Sequence, residues 1–296
     1  MTTPFTPPES PHLANTDGRF QLSDHVTSLD EAPGKKTAKR RLEDAVERIA
    51  DEQRKLYAQN NWALLLVFQA MDAAGKDSTI RNVLSGVNPA GCSVTSFKRP
   101  SSRELNHDFL WRTTQALLQR GMIGVFNRSH YEEVLVVRVH PEILDHQRLP
   151  FRPVEKQLWP ERMASIRDHE QHLARNGTAI LKFFLNVSRE EQRQRFLARL
   201  EQPHKRWKFE ANDVRERGYW DSYMDAYEAA IRETSRPWAP WYSIPADNKP
   251  VMRYLVAELI ADALESLSLN YPSTGASDQA LHDELHERLK NETLRD

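Results

Sequence analysis

Apolar positions along the chain fall into two alternating rhythms. Short apolar runs occur at Leu64–Phe68, Cys92–Phe97, Met122–Phe126, Thr178–Val187 and Trp241–Pro245, each ending in a polar or small-residue turn. They predict five strands, the fourth being the longest and most apolar and therefore central and buried on both faces. Between them runs helical spacing. Lys36–Asn60 places Leu42, Val46, Ile49, Gln53 and Leu56 on one face. Ile80, Val83, Leu84 and Val87 follow the first strand; Leu105, Phe109, Leu110, Leu117 and Leu118 predict a helix from Ser102 to about Arg120, stopped by Gly121. Val134–Val139 fits a short helix, Phe151–Pro160 a proline-punctuated loop, and Glu161–Asn176 a helix closed by Gly177. Ser188 and Glu191 form a capping box for the next helix. Trp220, Tyr223, Met224, Tyr227 and Ile231 line the helix Tyr219–Glu233, and Pro250 opens a last core helix to about Leu267.

Strands alternating with helices predict an α/β fold: a five-stranded parallel sheet in a three-layer αβα sandwich, with its site at the strands' carboxyl ends. Residues 1–35, rich in Pro, Ser, Thr and Asp, read as an extended arm lying on the domain surface or on an oligomer partner. The domain itself is expected over 36–270. The tail 271–296 is polar, with Leu281, Leu285 and Leu289 spaced for one amphipathic helix at most.

Composition narrows the function classes. Charged residues at 28% and apolar residues at 39% suit a soluble globular protein, here expected in the cytoplasm. A net charge of −1 gives the whole molecule no attraction for nucleic acid or membrane, so any basic site must be local. No apolar run reaches bilayer length, and the start is not a secretory signal. The lone cysteine, Cys92, excludes an internal disulfide framework and fits a reducing compartment.

The chemistry gathers at strand ends. After the first strand comes Ala70-Met71-Asp72-Ala73-Ala74-Gly75-Lys76-Asp77-Ser78 and then a helix, the order a phosphate-binding P-loop needs. Backbone N–H groups over Ala73–Ser78 can cradle phosphate oxygens, and Lys76 can neutralise them. The loop departs from G-x-x-x-x-G-K-[ST]: Ala70 replaces the first glycine, and Asp77 stands where Ser or Thr would hold magnesium. Asp72 adds a carboxylate beside the phosphates, which is repulsive unless a divalent cation lies between. A βα turn without ligand is the plain alternative. The second strand ends in Lys98-Arg99 and the third in Asn127-Arg128-Ser129-His130-Tyr131-Glu132-Glu133. Arg128 offers a planar phosphate clamp or, more simply, an i,i+4 surface pair with Glu132. Ala246-Asp247-Asn248-Lys249 follows the fifth strand. Residues 189–217 carry nine cations against six acids, and Lys205-Arg206-Trp207-Lys208-Phe209 interleaves cations with aromatics like a lid closing over an anion.

Together AMDAAGKDSTIR, FNRSHYEEVLVVRV, KRWKF and AYEAAIRETS with PWYSIPADNK resemble the polyphosphate kinase 2 family, in its branch accepting both nucleoside mono- and diphosphates. The resemblance runs from about Gly18 to Leu269. It implies a P-loop kinase-like fold with a helical lid at about 189–217. The implied activity is reversible transfer of the terminal phosphoryl group of inorganic polyphosphate to AMP, ADP, GMP or GDP, a reaction that regenerates ATP. Asp72, Lys76, Asn127, Arg128 and Glu132 would be the catalytic set. Asp72 and Asn127 would hold Mg2+, with Mn2+ as a substitute; the family's Asp is replaced by Asn127, as is usual in this branch, which alters metal coordination without abolishing activity. Lys205, Arg206 and Lys208 would guide the polyphosphate, and Lys98, Arg99 and Asp247 would attend the nucleotide. Further copies of the chain are the expected protein partner. The rival reading is an ATP-dependent nucleoside monophosphate kinase of thymidylate-kinase-like fold, and a second is a non-catalytic P-loop binding protein.

Overall fold

The computed structural model describes residues 5–150, 154–203, 206, 211–273 and 275–292. Its sheet has five parallel strands in the order β2-β3-β1-β4-β5: β1 Ala63–Gln69, β2 Cys92–Ser96, β3 Ile123–Asn127, β4 Thr178–Asn186 and β5 Trp241–Pro245. The strands predicted from apolar runs are all present within a residue or two of their expected ends. Burial follows position in the sheet. Central β1 and β4 are buried almost throughout, which is why they read as unbroken apolar runs, while edge strand β2 is mostly exposed.

Helices cover both faces. On one side α1 (Lys35–Gln59) and α2 (Lys76–Val83) pack against α9 (Lys249–Ser266). Arg41 grips Glu258 through paired bonds of 2.7 and 2.6 Å, and one turn-pair later Arg48 spans Asp262 and Glu265. On the other side α4 (Val136–Val139) and α5 (Glu155–Arg175) pack against α8 (Trp220–Thr234). Between β4 and α8 stand α6 (Arg189–Glu201) and α7 (Ala211–Glu216).

Residues preceding α1 run along edge strand β5. Leu13 bridges Tyr242 antiparallel, Ala14 donates to the Trp241 carbonyl at 2.9 Å, and Ser243 donates to the His12 carbonyl at 2.8 Å. Phe5, Ala14 and Phe20 are buried there. This segment pairs polar groups of an edge that would otherwise be open. At the other terminus, α10 (Ala276–Lys290) is a single helix whose Leu281, Leu285 and Leu289 are exposed.

Two expected elements differ. The helix over 102–120 is broken into a 3-10 turn at Glu104–Asn106 and a short α3 at Trp111–Thr114. Asp108 is the cause: its carboxylate accepts from the Leu110 N–H at 2.9 Å and its carbonyl accepts from the Trp111 N–H, so it starts a new turn instead of continuing the old one. Leu118 then lies so close over the Gly124 backbone that a Cβ there would meet its Cδ2 at 2.2 Å. The predicted loop at 151–160 is also corrected over its described part, residues 151–153 lying outside the described residues. Helix α5 begins at Glu155 and carries Pro160 inside it. Proline's fixed φ suits a helix, and so near the N-terminus little of the hydrogen-bond ladder is lost.

Candidate active site

The connection leaving β1 turns toward β2, whereas that leaving β4 turns toward β5. This reversal makes the carboxyl ends of β1 and β4 the natural crevice of the sheet. The loop 70–75 leaves β1 there and folds tightly, with Ala73 at φ 62° and Gly75 at φ 112°. Gly75 is required at its position, since a Cβ would meet Met252 Cε at 3.1 Å in addition to the strained φ. Ala73 has no such freedom and stores roughly 1–2 kcal/mol of strain. The Gly75 carbonyl accepts from Ser78 Oγ at 2.9 Å and Thr79 Oγ1 at 3.1 Å, which locks the first turn of α2 onto the loop.

Lys76 opens α2 and folds back over the loop, only 9% exposed, its Nζ 2.7 Å from the Ala70 carbonyl. Burial, and then the like charge of Arg128, pull its pKa down to about 8 against the opposing charges of Asp72, Glu132 and Asp77. Arg128 stands at the end of neighbouring β3 with φ 63°. One guanidinium nitrogen donates to Asp72 Oδ1 at 2.7 Å and the other reaches Glu132 Oε2 at 3.4 Å. Glu132, and after it Asp72, raise the Arg128 pKa although burial opposes them. The surface-pair alternative for Arg128 and Glu132 is therefore only part of the picture: the same guanidinium crosses from β3 to the phosphate loop.

Asn127 is drawn elsewhere. Its amide nitrogen donates to Asp77 Oδ1 at 2.7 Å. Asp72 and Asn127 thus face different partners, and among the described residues no group of three or more His, Cys, Asp or Glu side chains could hold a metal ion. Asp72, Asp77 and the Asn127 amide carbonyl are still hard oxygen donors at one strand end. They fit a cation that takes most of its ligands from phosphates and water.

The remaining candidates sit farther out. Lys98 and Arg99 are exposed at the end of β2, two strands and so about 10 Å from β1. Asp247 follows β5 on the opposite flank, and its carboxylate accepts from the Ser188 N–H at 2.7 Å. That bond corrects the capping box. Ser188 does cap Glu191 N at 3.1 Å, but the Glu191 carboxylate is taken by Arg195 at 2.7 Å, so Asp247 closes the box in its place. Arg206 is exposed and donates to the Leu200 carbonyl. Lys205 and Lys208 lie outside the described residues.

Two neighbours escape the sequence reading. Arg195 counts there only as one of nine basic residues. It is 7% exposed and reaches the phosphate-loop backbone, as does Gln192, whose amide donates to the Asp72 carbonyl at 2.9 Å. No local signal marks either one. Their depth depends on how α6 lands on the sheet.

A phosphate-type loop after β1, a guanidinium at the end of β3 held by two carboxylates, and helix α6 tied to the loop backbone supply the kinds of group that phosphoryl transfer uses. A sequence model of the family described as polyphosphate kinase 2 matches residues 33–271. The chain belongs to the polyphosphate kinase 2 family. It is 58% identical over 234 residues to an ADP-polyphosphate phosphotransferase of Rhodopseudomonas palustris, covering 79% of this chain and 81% of the relative. It is 46% identical over 260 residues to an AMP/ADP-polyphosphate phosphotransferase of Meiothermus ruber, covering 86% and 92%. A crystal structure of polyphosphate kinase 2 from Arthrobacter aurescens TC1 superposes with a TM-score of 0.82 at 38% identity, over 90% of this chain and 93% of that one. Membership in the polyphosphate kinase 2 family makes the chain a transferase enzyme. It sets aside both rivals, the ATP-dependent monophosphate kinase and the non-catalytic binder.

Proposed function

We propose that the enzyme moves the terminal phosphoryl group of inorganic polyphosphate reversibly to nucleoside mono- and diphosphates, with AMP, ADP, GMP and GDP as acceptors. The names of the relatives support the donor and both acceptor lengths. The observation that carries the residue roles is the Asp72–Arg128–Glu132 arrangement across the mouth of the phosphate loop. An acceptor phosphate oxygen bonds to the terminal phosphorus while the bridging P–O bond breaks, leaving a polyphosphate one unit shorter. Such a transfer asks the protein for alignment and charge neutralisation. Within Ala73–Ser78 the backbone N–H groups other than that of Ala74, which donates to the Met71 carbonyl, would hold phosphate oxygens together with the Lys76 ammonium. Arg128, fixed by two carboxylates before substrate arrives, would meet the transferring group without first being ordered.

Asp72 and Asn127, with Asp77 beside them, would hold Mg2+ or Mn2+. Bound there, the ion would offset the charge of the phosphate oxygens that the two aspartates would otherwise repel. Lys205, Arg206 and Lys208 would guide the polyphosphate, whose length gives a near-neutral protein a use for a local basic segment. Lys98, Arg99 and Asp247, on the two flanks of the strand ends, would attend the nucleotide. The arm 1–35, the domain 36–270 with its lid at about 189–217, and the tail 271–296 complete the reading, with a homo-oligomer working in the cytoplasm.

The test is synthesis of ATP from ADP, and of ADP from AMP, with polyphosphate as the sole donor and a divalent cation present. Turnover with both acceptors is expected. Turnover only when ATP is supplied as the donor would sink the reading.

A further inference from the structure

We infer that Arg195 and Gln192 of α6 are positioning residues that set the phosphate loop's backbone. The inference rests on the phosphate-holding role given to that loop above. Three successive loop carbonyls are tied from one face of one helix. Gln192 Nε2 donates to the Asp72 carbonyl at 2.9 Å, and one Arg195 terminal nitrogen donates to the Ala73 carbonyl at 3.2 Å and the Ala74 carbonyl at 2.6 Å.

In a trans peptide the C=O and the following N–H point in opposite directions. Fixing the carbonyls of residues 72, 73 and 74 toward α6 therefore turns the N–H groups of Ala73, Ala74 and Gly75 away from it. Ala74 spends its N–H on closing the turn to the Met71 carbonyl at 3.3 Å. Those of Ala73 and Gly75 are directed away from α6 by peptide planes that cannot rotate while the ties hold. The left-handed Ala73, at φ 62°, is the visible consequence. A strained alanine persists where its surroundings over-determine it, and here both flanking carbonyls are anchored.

Arg195 is built for this task and not for touching substrate. All five of its N–H donors have acceptors: Glu191 Oε1 at 2.7 Å, the two loop carbonyls, and the carbonyls of Ala246 at 2.6 Å and Asp247 at 3.0 Å. It thereby ties the end of β5 and the phosphate loop to one point on α6. Gln192 is held in turn by Arg217, which donates to its Oε1 at 2.5 Å from beyond α7. The base of α6 is consequently a fixed part of the phosphate site. A change in the 189–217 segment that shifts α6 would reach the loop N–H groups directly.

The test uses Gln192→Leu, Arg195→Lys and Arg195→Ala in the full chain, beside wild type. Gln192→Leu frees one carbonyl, and Arg195→Lys cannot span both backbone segments. Expected for both is a kcat with polyphosphate lowered about tenfold per folded molecule, with the nucleotide acceptor KM within twofold. Arg195→Ala should lose at least 100-fold and recover at least tenfold when guanidinium ion is supplied in solution. The thermal shift produced by inorganic tripolyphosphate should shrink in parallel. That shift reads loop geometry whether or not wild type turns over. Inactive wild type whose tripolyphosphate shift is lost in the variants would overturn the proposed activity and leave the loop-setting role standing. Active wild type with Gln192→Leu and Arg195→Lys unchanged in kcat and in thermal shift would overturn the loop-setting role alone. Should Arg195→Ala fail to fold, Gln192→Leu and Arg195→Lys still decide. A wild type showing neither turnover nor a tripolyphosphate shift overturns both.

Discussion

Lys76 opens the helix after β1 and Lys182 lies in the neighbouring strand β4; burial pulls both ammonium groups down to about 8, yet their surroundings divide them. Lys182 lies in the middle of β4 with no exposure at all. Its Nζ donates to Glu170 Oε2 at 2.5 Å, Tyr131 Oη at 2.8 Å and the Thr234 carbonyl at 2.9 Å, so three protons meet three acceptors. The Tyr131 hydroxyl donates its own hydrogen bond to the other Glu170 oxygen at 2.8 Å. Burial works against ionisation of Glu170, but Lys182 and His130 outweigh it and keep the carboxyl below its ordinary value. Lys76 makes one short bond, to the Ala70 carbonyl, and one long approach of 3.5 Å to the Met71 carbonyl. Its carboxylates stand nearby without saturating it. A buried cation whose donors are all matched is a structural part. One left short of partners in the loop after β1 suits the anion-holding role proposed for Lys76.

The strongest way to break that contrast is to remove each lysine. Lys182→Met leaves Glu170 buried without its partner. Breaking such a pair costs about 3–5 kcal/mol. Thermal or denaturant unfolding should show that loss, while activity per folded molecule stays within a few-fold of wild type. The double variant Lys182→Met with Glu170→Gln removes the stranded charge and should regain most of the stability. If the single variant unfolds like wild type, or the double is no better than the single, the matched-donor account of this cluster is wrong.

Lys76→Met should behave in the opposite sense. Activity with polyphosphate is expected to fall about 10²–10³-fold, or about 3–4 kcal/mol of lost transition-state stabilisation. Stability should hold or rise, because a charge that folding penalises has been taken out of the interior. An active Lys76→Met would contradict the assigned role, and a strongly destabilised one would make Lys76 a second Lys182.

Much of this architecture was legible because its signals are local. Apolar runs marked every strand, and Gly75-Lys76 at the end of the first run marked the phosphate loop. The helix at 102–120 misled because apolar spacing does not reveal that Asp108 caps a fresh turn. Pro160 misled because a proline near a helix start can be read as a break or as a beginning. The distinction between Lys76 and Lys182 was out of reach for another reason. Lys182 is a single polar letter in an apolar strand, and its partners lie 12, 51 and 52 residues away in the chain. Arg195 and Gln192 have the same character, with loop partners some 120 residues distant. Contacts of that range follow from how elements dock, and spacing within an element does not encode them.

The finest test of the contrast is pH. In the free enzyme the Lys76 pKa is about 8, so the form able to hold phosphate is lost above that pH. The kcat/KM for polyphosphate, which reports the free enzyme, should fall about tenfold per pH unit on that limb. Bound phosphate oxygens favour the charged ammonium, so in the complex the same group titrates higher, and the limb in kcat should lie at higher pH than the limb in kcat/KM. Stability moves in the other direction. The ordinary lysine value is 10.5 and the folded value about 8, so between them the unfolded chain binds more protons and stability rises with pH. The penalty on charged Lys76 is fully present below pH 8 and lifts toward 10.5. The stability advantage of Lys76→Met over wild type should shrink across that window. Coincident limbs in kcat and kcat/KM would mean that the anion is held without Lys76, and the two lysines would then differ in place alone.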